Sequence, residues 1–215
     1  MRFFLGFIFT FLLSPLLVQA QTAIQEAKLS NGIHVLLMEA HNVPMVAMQL
    51  LLPSGSRFDP KGKGGTAALM ASMLTDHTKI HDHKAWAAWL DSEAVSLGAG
   101  VSRDALIYST TVLSEALPLG LDMLAESLLQ PAWDAKRFVI LQQDAIAGAT
   151  KAMETSGYRA SIYTSAILYG EHAYGHRPGG TLESLAKITL NDLKKLYAKQ
   201  FKPAGVTLAV SGDIT

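Results

Sequence analysis

Metal-type side chains gather at one place in this sequence, the run Asp76-His77-Thr78-Lys79-Ile80-His81-Asp82-His83. His77 and His81 are four residues apart, and His83 adds a third imidazole. On a continuous helix His77 and His81 share a face, which suits zinc or nickel. The opposing reading is a polar connector between two helices, for which His, Asp and Lys are ordinary composition. Other chemistry-bearing residues are scattered. Ser72, Ser92, Ser96 and Ser102 lack the Gly-x-Ser-x-Gly surroundings of a nucleophile elbow. Gly62-Lys63-Gly64-Gly65-Thr66 lacks the Gly-Lys-Ser/Thr ending of a phosphate loop, so it reads as the lead-in to a helix. Glu115, Asp122 and Glu126 fall on one predicted helix, where carboxylates ordinarily form a solvated face. Trp86 and Trp89 read as core rather than as a ligand platform.

The chain holds no cysteine, which removes disulfides, thiolate nucleophiles, cysteine-bound metal and a lipoprotein anchor. Lys plus Arg and Asp plus Glu balance at 18 each, so no field capable of gathering nucleic acid is implied. With 49% hydrophobic and only 17% charged residues, 215 residues are enough to bury a substantial core.

The elements that must position these residues alternate in type. Ile24 to Leu37 reads as a hairpin with a tight two-residue turn at Asn31-Gly32. Met45 to Leu52 is apolar nearly throughout, which predicts a strand covered on both faces. Helices are predicted over Thr66–Thr75 and Lys84–Leu97, the second carrying Trp86, Trp89 and Leu90 on one face and stopped by Gly98-Ala99-Gly100. Val101 to Leu113 predicts one or two strands. A helix opening at Ser114-Glu115 buries Leu117, Leu121, Leu124 and Leu128 and halts at Pro131. Asp134 is the predicted N-cap of a long helix through Ala152. Further helices span Arg159–Leu168 and Leu185–Gln200, and Val206–Val210 is a strand. This order predicts an α+β fold, helices packed on one side of a mixed or antiparallel sheet.

At the N-terminus Arg2 precedes an uncharged apolar run, Phe3 to Leu13, broken by Ser14-Pro15 and followed by Val18-Gln19-Ala20. That pattern predicts a signal peptide over residues 1–20, with residues 21–215 as the mature domain. The competing reading is an uncleaved anchor, against which Pro15 and Ala20 argue. Cleavage predicts a secreted protein, free of the membrane and located in the bacterial periplasm.

Leu29-Ser30-Asn31-Gly32-Ile33-His34-Val35-Leu36-Leu37, Gly55-Ser56-Arg57 and Gly64-Gly65-Thr66-Ala67 together resemble the opening of the insulinase/pitrilysin zinc peptidases, which include the mitochondrial processing peptidases. Leu97-Gly98-Ala99, Leu124-Ala125-Glu126, Pro131-Ala132-Trp133, Tyr169-Gly170, Tyr174-Gly175 and Val210-Ser211-Gly212-Asp213 continue the resemblance over the mature chain. Such a resemblance implies a duplicated α+β unit whose halves enclose a peptide chamber, this chain supplying one unit of a longer two-unit chain. It also implies His-x-x-Glu-His on the helix after the Gly-rich lead-in, two imidazoles binding zinc and the Glu activating water. Laid on this sequence, those positions are Ala68, Ala71 and Ser72, and the third ligand falls near Gly148, with Asp144 the nearest acid. The chain is therefore expected to be a metal-free, non-catalytic partner subunit of an active, zinc-bearing family member in a heterodimer. The alternative is an active metalloendopeptidase with zinc at His77, His81 and His83. The loop Glu171–Pro178 is either a peptide-touching segment, as the resemblance suggests, or a surface turn whose Tyr174 packs on a neighbouring helix.

Overall fold

The computed structural model describes residues 24–214, so the predicted leader at residues 1–20 lies outside the described residues. Six strands form one sheet: β1 (Ile24–Lys28), β2 (His34–Glu39), β3 (Met45–Leu52), β4 (Ser96–Val101), β5 (Leu106–Leu113) and β6 (Thr207–Gly212). Their order is β1-β2-β6-β3-β5-β4, antiparallel except where β6 lies parallel to β2, so the sheet is mixed. Among the described residues seven α-helices accompany it: α1 (Thr66–Asp76), α2 (His83–Ser92), α3 (Leu117–Leu129), α4 (Ala135–Ala152), α5 (Ser156–Tyr169), α6 (Leu182–Ala186) and α7 (Leu190–Gln200). The expected α+β class holds.

β3 is covered on one face only, against the expectation from its apolar run. Val46, Met48 and Leu52 are buried, whereas Met45, Ala47, Gln49 and Leu51 point the other way and are exposed. The covered face joins Leu106, Tyr108 and Val112 of β5 and Val210 of β6 to α1, α3, α4 and α7 in a core held by apolar burial. Trp86 from α2 and Met123 from α3 close its other end.

Local turns account for three further departures. The β1–β2 hairpin closes over three residues: the Leu29 amide donates to the Ile33 carbonyl, and of Asn31 and Gly32 only Gly32 takes positive φ, at 93°. Asn31 instead accepts the Ile33 amide through Oδ1 at 3.1 Å, so the turn is of the longer, bulged kind. Second, the helix predicted over Lys84–Leu97 ends at Ser92, and Gly98-Ala99-Gly100 lies inside β4, paired with Ser109, Tyr108 and Ile107 of β5. Tertiary pairing there overrides the breaker signal. Third, Leu185–Gln200 is two helices, because Thr189 and Asp192 form a capping box that starts α7 afresh.

The stripe of α3 is rotated from the leucine pattern. Gly120, Met123, Leu124, Ser127 and Leu128 are buried while Leu121 is exposed. Gly120 permits this approach, since a Cβ there would stand 2.6 Å from Val112 Cγ1.

Candidate functional site

Ala68 and Ser72, one turn apart on α1, face Ala145, Gly148 and Ala149 of α4 across a cleft of about 330 Å³. Tyr158 of α5, Arg177, Gly179 and Leu185 line the same cleft. Ala71 sits at the intervening position but is buried in the core, 2% exposed. Three of the four residues that the resemblance assigns to zinc chemistry therefore meet around one space. Their chemistry does not fit the metal. Ala68 presents a methyl group, the Ser72 hydroxyl donates to the Ala68 carbonyl at 3.2 Å, and Gly148 contributes no side chain. The lining holds no imidazole or carboxylate, and Asp144 is not part of it. A Cβ added at Gly148 would meet nothing within 4 Å, so the space is open there.

Both ends of α1 are held by carboxylates. At the start, Asp59 Oδ2 accepts the Gly65 amide and Oδ1 the Ala67 amide, each at 2.8 Å, satisfying free donors of the first turn. The Asp59 side chain is fully buried, with His176 Nε2 3.5 Å away and donating to the Ser56 carbonyl at 3.0 Å. Hydrogen bonding to Asp59 raises the His176 pKa above the usual imidazole value, against an opposing contribution from burial. The loop bearing His176 also presses on the Gly-rich lead-in. Gly180 takes φ 74°, and a Cβ there would lie 2.3 Å from the Gly64 carbonyl oxygen. Only glycine meets both demands.

At the end of α1, Arg137 Nε lies 2.9 and 3.1 Å from the two carboxylate oxygens of Asp76, and Nη2 donates as well. Arg137 stands in the first turn of α4, whose N-cap Asp134 accepts the Lys136 amide at 2.6 Å and the Arg137 amide at 3.0 Å. Burial tends to raise the Asp76 pKa, but hydrogen bonds from Arg137 and His77 outweigh it and hold the carboxyl below its ordinary value.

The histidine run is a turn, not a helix. His77, in extended conformation, ends α1, and residues 77–82 lead to Asp82, which caps α2. His77 Nδ1 meets Asp76 at 2.7 Å, His81 Nδ1 meets Glu126 at 2.8 Å, and His83 Nδ1 meets the Asp76 carbonyl at 3.2 Å. His77 and His83 share Asp76, their rings 6.4 Å apart, while His81 turns to Glu126, and among the described residues no group of three or more His, Asp or Glu is placed to hold a metal. Glu126 departs from the expected solvated face: its side chain is 13% exposed and also accepts the Thr78 hydroxyl. This carboxylate lies 45 residues from His81, so no local pattern announces it.

Tyr174 anchors the 171–178 loop. Its hydroxyl donates to Asp104 at 2.6 Å, its ring lies edge-on to Tyr169 of α5 at 5.8 Å, and Arg103 bonds its carbonyl at 3.4 Å. Tyr174 thus packs on its neighbouring helix.

Residues 34–156 match the insulinase (peptidase family M16) domain. The non-peptidase homolog YmxG of Helicobacter pylori is 25% identical over 209 residues, covering 97% of this chain and 48% of that protein. A peptidase M16 inactive domain from Pseudomonas fluorescens superposes with a TM-score of 0.84 at 28% identity, covering 90% of this chain and 47% of that one. The periplasmic protease PqqL from Escherichia coli matches at 0.78 and 20% identity, covering 89% of this chain and 22% of that one, a likeness of fold alone. The chain spans about half the length of the first two of these relatives. With the matched segment spanning β2 to the start of α5, the chain belongs to the insulinase family, peptidase family M16.

Proposed function

We propose that this chain is a metal-free, non-catalytic insulinase-family unit that pairs with a zinc-bearing member and completes the wall of its peptide chamber. The observation that carries this reading is the cleft between α1 and α4, where Ala68, Ser72 and Gly148 supply no metal ligand and Ala71 no base. Two relatives described as a non-peptidase homolog and an inactive domain support it. Pairing is supported by the uncovered face of the sheet. Met38, Met45, Leu51 and Leu113 are exposed there among small and polar residues such as Ala47, Gln49 and Thr111, a mixed face of the kind found at subunit interfaces. The relatives' greater length supports a second unit, so residues 21–215 form one unit of a two-unit arrangement. The leader over residues 1–20 directs export, and the working compartment is the bacterial periplasm. The alternative zinc site at His77, His81 and His83 has no geometric observation in its favour.

The test mixes the mature protein with a zinc-bearing family member from the same organism. Co-elution as a heterodimer with increased cleavage of an unstructured peptide is expected. A zinc-bearing member that elutes and cleaves identically with and without this chain contradicts the partner role.

A further inference from the structure

The Arg177 guanidinium lies 3.7 Å above the Tyr158 ring, and among the described residues it forms no ion pair and donates no side-chain hydrogen bond. The other arginines among the described residues have polar partners: Arg137 pairs with Asp76 and Arg57 with Asp104, Arg103 bonds Ser165 and the Tyr174 carbonyl, and Arg159 bonds the Met153 carbonyl. Stacking on an aromatic face fixes the plane of a guanidinium while leaving its N–H fork free for a planar anion. Arg177 is half-buried and lines the same cleft as Ala68, Ser72 and Gly148. The neighbouring Gly179 also lines it, and its amide donates to nothing among the described residues.

We propose that this cleft is a binding subsite for the C-terminal residue of a peptide, the carboxylate held by Arg177 and an aliphatic side chain lying on the small-residue floor. The floor is mostly apolar, its one side-chain hydroxyl, that of Ser72, turned to the Ala68 carbonyl, and it holds no acid or base, so a second charge has no place in it. A volume of about 330 Å³ accommodates a single amino-acid side chain rather than a folded segment. Bidentate contact between a guanidinium and a carboxylate supplies directional recognition, and the apolar floor supplies burial of the side chain. An open space at Gly148 gives the side chain room, since nothing lies within 4 Å of a Cβ placed there. The subsite goes beyond the partner role: it requires the cleft to be free of metal but not that a second subunit be present.

Fluorescence anisotropy on the mature protein tests this with three labelled short peptides: a C-terminal leucine free acid, its amide, and an amidated peptide with an internal glutamate. The free acid is expected to bind at least ten-fold tighter than both others. Arg177→Gln is expected to abolish that preference, and Gly148→Leu, which fills the cleft, to abolish binding of the free acid with thermal stability retained. Equal binding of acid and amide, preference for the internal glutamate, or a preference that survives Arg177→Gln overturns the proposal. Absence of binding by the wild-type protein overturns it equally. Chelator-sensitive cleavage of the same peptides contradicts the non-catalytic reading instead, so the two failures are distinguishable.

Discussion

Arg137 in the first turn of α4 grips Asp76 in the last turn of α1, with Nε within 3.1 Å of both carboxylate oxygens and the Asp76 side chain only 4% exposed. That pair fixes one end of the two helices that face each other across the cleft. Breaking it leaves a buried carboxylate with only its imidazole contacts to His77 and His83. Arg137→Ala is expected to cost about 3 kcal/mol, the low end for a buried pair because the guanidinium retains some solvent contact. For a domain of this size that lowers Tm by roughly 10 °C. Because the folded-state pKa of Asp76 is depressed, the stabilisation is present above the unfolded value and lost as pH falls through the lower folded value. Urea titrations of wild type and variant are therefore expected to differ fully at pH 7 and to converge below about pH 4.

His176 behaves in the opposite sense. Its folded pKa is raised by Asp59, so its contribution is present below the unfolded value near 6.5 and lost as pH rises through the folded value. His176→Gln is expected to lower stability at pH 5.5 and to have a smaller effect at pH 8.5. NMR titration of the His176 ring checks the direction directly; a pKa at or below the free imidazole value contradicts the Asp59 contact.

Gly148 sits within the unbroken α4 without a steric reason, since a Cβ there meets nothing. Gly148→Ala is accordingly expected to stabilise the protein by about 0.7 kcal/mol through helix propensity alone. Thermal melts check this, and destabilisation would show that the cleft is tighter than its geometry.

What was legible in the sequence followed from local chemistry. Asp134 announced the start of α4 because a capping carboxylate and its amides are two and three residues apart. The breaker reading of Gly98-Ala99-Gly100 failed because β4 is made by its pairing with β5. The apolar run of β3 suggested two covered faces, but the described helices cover one, leaving Met45 and Leu51 exposed. The histidine run was visible, but its outcome depended on Glu126, and the gathering of Ala68, Ser72 and Gly148 depended on how α1 meets α4. Arg177 lies in the loop Glu171–Pro178 that the resemblance marks as a peptide-touching candidate, but its stacking on Tyr158 joins that loop to a separate helix and leaves no local pattern.

On the proposed reading the α1–α4 cleft holds no catalytic zinc. Metal analysis by mass spectrometry of dialysed protein spanning residues 21–215, read beside its cleavage of an unstructured peptide, is the direct test. Zinc far below one equivalent and no cleavage above background are the expected results. One tightly held equivalent of zinc per chain, with cleavage that a chelator abolishes, would show a working metal centre and overturn the non-catalytic reading.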